Sequence, residues 1–167
     1  AILTSLCLFL TSTPMLAQTY PNKPVKVVVP FPAGGIVDIL ARSVTEKIAS
    51  NWGSPIIVEA KPGADALVGT EVVARAPADG YTFLVATITG SVGPLINPQF
   101  KYDLRKDFTA VNLFATAPNI IVVPPSLPVS NMAEFTELAR KSPGKLNYAH
   151  SGAGSTNHLP VEFLKMS

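Results

Sequence analysis

The chain of 167 residues carries 47% hydrophobic and 14% charged side chains, with 13 Lys and Arg against 11 Asp and Glu. That balance fits a folded domain with a packed core and excludes a disordered chain. The basic residues are scattered from Lys23 to Lys165 without forming a stripe, so no nucleic acid partner is expected.

Residues 1–17, AILTSLCLFLTSTPMLA, hold no charge and contain an apolar run followed by small and polar residues. This is the pattern of the later part of a secretory signal peptide, with cleavage expected after Ala17. The apolar run is too short to span a bilayer. Cys7, the single cysteine, lies inside the segment, and Leu6 stands where a lipid-anchored chain would have a small residue. A mature chain from Gln18 would therefore have no disulfide and no Cys-metal site.

Beyond Tyr20, short apolar runs alternate with helical periodicities, and prolines mostly bracket the runs, giving a β-α-β-α-β rhythm. The run VKVVV (25–29) is apolar apart from Lys26, as a central strand covered on both faces would be. A helix from near Val37 follows from the apolar spacing of Val37, Leu40, Ala41, Val44 and Ile48, with Trp52 and Gly53 closing it. Asp38 and Arg42 fall one turn apart on it. Residues 55–60 read as a second strand, 67–76 as a short helix weakened by Gly69, and 82–89 as a third strand. Gly, Pro and Asn accumulate over 90–109, an irregular connection. Residues 110–125 give two extended pieces split by Pro118. Asn131 with Glu134 three residues on predicts a capped helix that stops at Pro143-Gly144. Residues 145–151 read as a strand, and 159–164 as a last helical pattern.

Two strand-to-helix turns, PFPAGGIVD and HSGAGSTNH, share one design: glycines that let backbone N–H groups approach a ligand, then a helix N-terminus whose dipole favours an anion. Carboxylates and phosphates suit such turns, and Ser151, Ser155 and Thr156 add hydroxyl donors to the second. Glycines also serve turn geometry alone, and Asp38 is equally suited to capping its helix or pairing with Arg42. Nucleotide binding would use Gly34, Gly35 and an acid such as Glu59, but no G-x-G-x-x-G or G-x-x-x-x-G-K-[ST] occurs. A Ser/His hydrolase built on Ser151, Ser155, His150 and His158 lacks G-x-S-x-G, and the two histidines eight residues apart fit no ordinary zinc pattern.

The segments YPNKPVKVVVPFPAGGIVDILAR, IIVEAKPGADALVGTEVVARAPADGYTFLVAT, KDFTAVNLFATAPNIIVVPPSLPV and PGKLNYAHSGAGSTNHL, in this order, resemble the substrate-binding receptors of tripartite tricarboxylate transporters, the Bug-type family. The resemblance runs from Tyr20 to the end of the chain. It implies an α/β fold of the periplasmic-binding-protein type (type II, Venus-flytrap), with two domains closing on a ligand. The boundaries expected are a partial signal peptide at 1–17, a first α/β domain at 18–117, and a crossover with the start of the second domain at 118–167. It further implies a periplasmic receptor, not an enzyme, without metal or cofactor. Such a receptor binds a small organic acid (a di- or tricarboxylate, an acidic amino acid or an aromatic acid) and passes it to membrane permease subunits. By motif, Phe31, Gly34, Gly35 and Asp38 would line one side of the cleft, with Thr87 and Thr89 at the end of the third strand. Ser151, Gly154, Ser155 and Thr156 would approach from the second domain.

Two departures from the family pattern bear on the site. Where relatives tend to read N-R-P-G-A-G-G, this chain has AKPGADA (60–66), which places Asp65 and Ala66 where glycines stand; positive φ at either position would cost stability, and a new carboxylate near an anion site would repel ligand. Pro160 inside the last helical pattern would move that helix's start away from Ser155. Family members also continue for about as much chain again, so a partial product is expected to leave apolar faces uncovered and to associate with itself.

Overall fold

Five residues, four of them valine, make β1 (Val25–Val29), and their β-branched side chains suit a strand buried on both faces. In the computed structural model, which describes residues 19–166, β1 is the centre of a three-stranded parallel sheet. Its neighbours are β2 (Ile56–Ala60) and β3 (Thr82–Leu84), in the order β2-β1-β3. Val27 is in register with Val58 on one side and Phe83 on the other. Helix α1 (Ile36–Trp52) crosses from β1 to β2, and α2 (Leu67–Ala74) crosses from β2 over to β3. Val27, Val29, Ala41 and Val85 form a buried core, onto which Phe31, Val37, Ile56, Val58 and Phe83 pack. Val28, pointing to the opposite face by the alternation of the strand, is equally buried. The core therefore occupies both sides of β1.

Helix α1 ends as its sequence requires, with Gly53 at φ 64° and its N–H bonded to the Ala49 carbonyl. At the same end of the sheet Tyr20 meets Trp52 and Tyr81, with ring centroids 5.8 and 5.0 Å apart. Helix α4 (Met132–Lys141) carries the expected capping box: Asn131 Oδ1 accepts from the Glu134 N–H at 3.0 Å, and Glu134 Oε2 accepts from the Ser130 N–H at 2.7 Å.

Two expectations are corrected. The third strand ends at Leu84, and part of the stretch read as irregular is helix α3 (Ile88–Ile96). Tertiary packing overrides its poor propensity: a Cβ on Gly93 would lie 2.8 Å from Phe100 Cζ, and one on Gly90 would lie 3.4 Å from Leu104 Cδ1, so the glycines let this helix seat closely on the following loop. Residues 110–123 and 145–151 are exposed and pair with no strand among the described residues, because an apolar run becomes a strand only where a neighbour takes its backbone donors and acceptors. The last helix, α5 (Leu159–Met166), begins with Pro160 in its first turn, where the missing N–H costs nothing. The expected signal segment lies outside the described residues. No helix among the described residues is long and apolar enough to cross a membrane.

Candidate functional site

The chain leaves the carboxyl end of β1 toward β2 on one side, and its next crossover carries it to β3 on the other side. The loops after β1 and β3 therefore diverge, and such a switch point opens a crevice beyond the carboxyl ends of the strands. Two helices, α1 and α3, begin beyond those strand ends.

On the β1 side, the turn 30–35 is held by Asp38, which is 2% exposed. Its Oδ2 accepts from the Gly34 N–H at 2.9 Å and from Arg42 Nε at 2.9 Å. Arg42 and the Gly34 N–H hold the Asp38 carboxyl below its ordinary pKa, against the opposing effect of burial. Asp38 thus pairs with Arg42, one of the roles its spacing left open, and in addition fastens the turn through the Gly34 N–H. Its Oδ1 is buried with no hydrogen-bond partner among the described residues.

The glycine N–H groups themselves are already engaged: Gly34 donates to Asp38 and Gly35 donates to the Pro32 carbonyl at 3.2 Å. The first bond inside α1 runs from the Ile39 N–H to the Gly35 carbonyl. The N–H groups of Ile36, Val37 and Asp38 therefore head the helix without acceptors inside it, and the N-cap Gly35 offers no side chain to take them. Gly34, at φ 78°, makes the turn that aims them. Phe31 is half-buried and packs against the core, so it braces this turn from behind.

On the β3 side, Thr87 is the N-cap of α3 and Thr89 lies in its first turn, not at a strand end as expected. The Thr87 side chain makes no capping bond, and its Oγ1 is buried without a hydrogen-bond partner among the described residues. Thr89 is buried. Glu59, the residue a dinucleotide fold would need for a ribose, instead pairs with Lys26 at 2.9 Å and Lys61 at 3.7 Å.

The loop after β2 reaches the second glycine turn. Ala64, Asp65 and Ala66 have φ of 46°, 52° and 73°, so both departures from glycine fall where glycine is favoured. The Asp65 carboxylate lies where a Cβ on Gly152 would stand, its Cγ 3.2 Å from that position. Each left-handed alanine costs about 1–2 kcal/mol, of which glycine's greater chain entropy takes back roughly 0.5–1. Ala64→Gly, at an exposed site, should therefore stabilise the protein by roughly 0.5–1 kcal/mol in urea unfolding. Ala66→Gly should be nearly neutral, because Ala66 is buried and its methyl contributes about as much through burial.

In the second turn the donors are present and occupied. Asn157 Oδ1 accepts from the Ser151 N–H at 3.3 Å, Ser151 Oγ at 2.9 Å and Ser155 Oγ at 2.7 Å. The Gly152 N–H donates to His150 Nδ1 at 3.1 Å and the Gly154 N–H to His158 Nδ1 at 3.2 Å. Gly154 is buried against α3, its Cβ position 3.4 Å from Val92 Cγ1, and Thr156 is exposed. The two serine hydroxyls donate to Asn157 and not to a histidine, so the hydrolase geometry is not formed. Among the described residues no three metal-ligating side chains come together.

A glycine-rich turn before a helix is common to many α/β proteins and by itself identifies no family. The model of the tripartite tricarboxylate transporter family receptor matches residues 40–167. The chain belongs to that receptor family. It is 35% identical over 164 residues to a UPF0065 protein of Bordetella pertussis, matching 96% of this chain and 50% of that one. A solved structure of Rpa4515 from R. palustris with adipate is 36% identical, with TM-score 0.78 over 88% of this chain and 50% of that one. MatC from Rhodopseudomonas palustris with bound malate is 33% identical, with TM-score 0.73 over 87% of this chain and 51% of that one. The receptor chain thus spans about half the length of the curated relatives it matches, and its fold is that of half a periplasmic binding protein.

Within this receptor half, the first turn follows β1 and Thr87 follows β3, while Asp65 and α3 pack against the second turn. Sequence reasoning expected a helix N-terminus here but named Phe31, Gly34, Gly35 and Asp38 as the residues lining the site; the N–H groups without acceptors in the helix are those of Ile36, Val37 and Asp38. It also missed Asn157, whose position two residues after Ser155 and six after Ser151 is the one signal it offered.

Proposed function

We propose that this receptor binds a small organic di- or tricarboxylate in a cleft between two α/β domains, in the periplasm, and delivers it to the permease of a tripartite tricarboxylate transporter. Two helix N-termini without side-chain caps, each following a strand of the sheet, support the reading. The N–H groups at the start of α1, with no side-chain cap at Gly35 or Thr87, suit an anion without needing a fixed cation. The buried Thr87 Oγ1 adds a hydroxyl of the kind that orients a carboxylate. Adipate and malate in two neighbours of similar fold support the ligand class.

Thermal unfolding with adipate, malate and citrate tests this directly. A bound acid raises stability by mass action, by about 2.7 kcal/mol at a hundred times its Kd. A rise in Tm with at least one of these acids is expected. No shift across a wider panel of organic acids would overturn the reading.

A further inference from the structure

We infer that His158 is an acid-releasable latch that holds the second turn on α3: a proton on its Nδ1 frees the Gly154 N–H and lets the turn lift away from that helix. The Gly154 N–H donates to His158 Nδ1 at 3.2 Å, and the Gly152 N–H donates to His150 Nδ1 at 3.1 Å. A backbone N–H can only donate, so each Nδ1 presents a lone pair and each imidazole is neutral with its proton on Nε2. A protonated Nδ1 is itself a donor and would face another donor. The bond to Gly154 therefore holds only while His158 is uncharged. This latch is a property of the fold and does not depend on the carboxylate reading.

Gly154 is the residue that seats the turn. It is buried, with its Cβ position 2.6 Å from Ile96 Cδ1 and 3.4 Å from Val92 Cγ1, so the bare backbone sits directly against α3. A buried N–H stripped of its acceptor is costly, whereas the less buried Gly152 can turn its N–H to water. Of the two histidine bonds, the one to Gly154 is the one whose loss moves the turn.

The surrounding groups give a charged His158 ring a counter-ion. Its Nε2 lies 3.8 Å from Glu162 Oε1, in the first turn of α5. That carboxylate also accepts from the Tyr148 hydroxyl at 2.6 Å and from Lys165 Nζ at 2.8 Å, so Lys165 moderates the attraction. The loop after β2 adds the Asp65 carboxylate against Gly152, and the α3 residues against Gly154, Val92 and Ile96, carry no charge. His150 has no such carboxylate partner among the described residues, and its ring centroid is 4.5 Å from that of His158, so a charge on one ring opposes a charge on the other.

NMR from about pH 8 to about pH 5, the range in which histidine changes charge, tests the latch. In the unaltered protein the exchange protection of the Gly154 amide should fall by about tenfold or more as the His158 ring signals report its protonation. Asparagine puts an amide oxygen at the place of Nδ1 and does not titrate, so His158→Asn should keep that protection to within about twofold across the same range. His150→Asn should leave the fall at Gly154 as it is in the unaltered protein. Protection at Gly154 that ignores His158 protonation in the unaltered protein would overturn the inference whether or not the variants fold. An equal fall in His158→Asn, or loss of the fall in His150→Asn, would overturn it as well.

Discussion

Gly69→Val should destabilise the protein by about 3 kcal/mol or more, the largest effect expected of any single substitution near the site. A Cβ at Gly69 would lie 2.7 Å from Pro30 Cβ, 2.8 Å from Pro30 Cα and 2.8 Å from the Lys61 carbonyl oxygen. Carbon atoms pack without penalty only at about 3.5–4.0 Å, and here the obstructing groups are backbone atoms and a fixed ring. No rotamer change can relieve the overlap, so α2 must withdraw from the sheet. Pro30 opens the first turn and Lys61 opens the loop that carries Asp65, so the displacement should also weaken carboxylate binding. Urea unfolding checks the first effect through a lower midpoint at unchanged slope. Gly69→Ala within about 0.5 kcal/mol of the unaltered protein would show that the helix and turn are not in close contact.

Replacing Asp38 by alanine should lower Tm by several degrees at neutral pH and flatten its dependence on acid. The folded pKa of Asp38 lies below its unfolded value because Arg42 and the Gly34 N–H favour the ionised form. Its contribution is therefore present above about pH 4 and is lost as pH falls through the lower folded pKa. The unaltered protein should lose stability as pH falls below about 4. Glu59, Asp79, Asp103 and Glu162 are also lowered by lysine or arginine partners, so part of that slope survives in the variant. Thermal unfolding from neutral to acid pH would sink this account if the two proteins showed parallel curves. The variant should also show a smaller Tm rise with any acid that binds, since Asp38 fixes the turn that aims the helix N–H groups.

The sheet and first helix were legible because their signals are local. Four valines in five residues and the 3.6-residue spacing of α1 point to one structure each, as do Gly53 and the Asn131–Glu134 pair. Helix α3 was not legible, since its glycines and Pro94 argue against a helix until Phe100 and Leu104 pack onto them from further along the chain. The runs at 110–123 and 145–151 misled for the opposite reason: β-branched residues signal a strand, but a ladder also requires a neighbour. The first turn was found by its glycines, although the donors it aims belong to Ile36, Val37 and Asp38. The strain at Asp65 and Ala66 was conditional in the sequence and became definite only with their φ angles. Asp65 meets Gly152 across 87 positions of sequence, a contact that no local pattern encodes.

The uncapped start of α1 also bears on how such a receptor can diverge. Main-chain N–H groups survive almost any replacement of the side chains that carry them, so drift at Ile36 or Val37 leaves these donors in place. The second turn, by contrast, is held by side chains, the hydroxyls of Ser151 and Ser155 donating to Asn157 Oδ1, and single base changes can alter all three. On the proposed reading, one half of the site would be inherited with the fold and the other open to selection, so a lineage could exchange one acid for another without first losing the ability to hold acids at all.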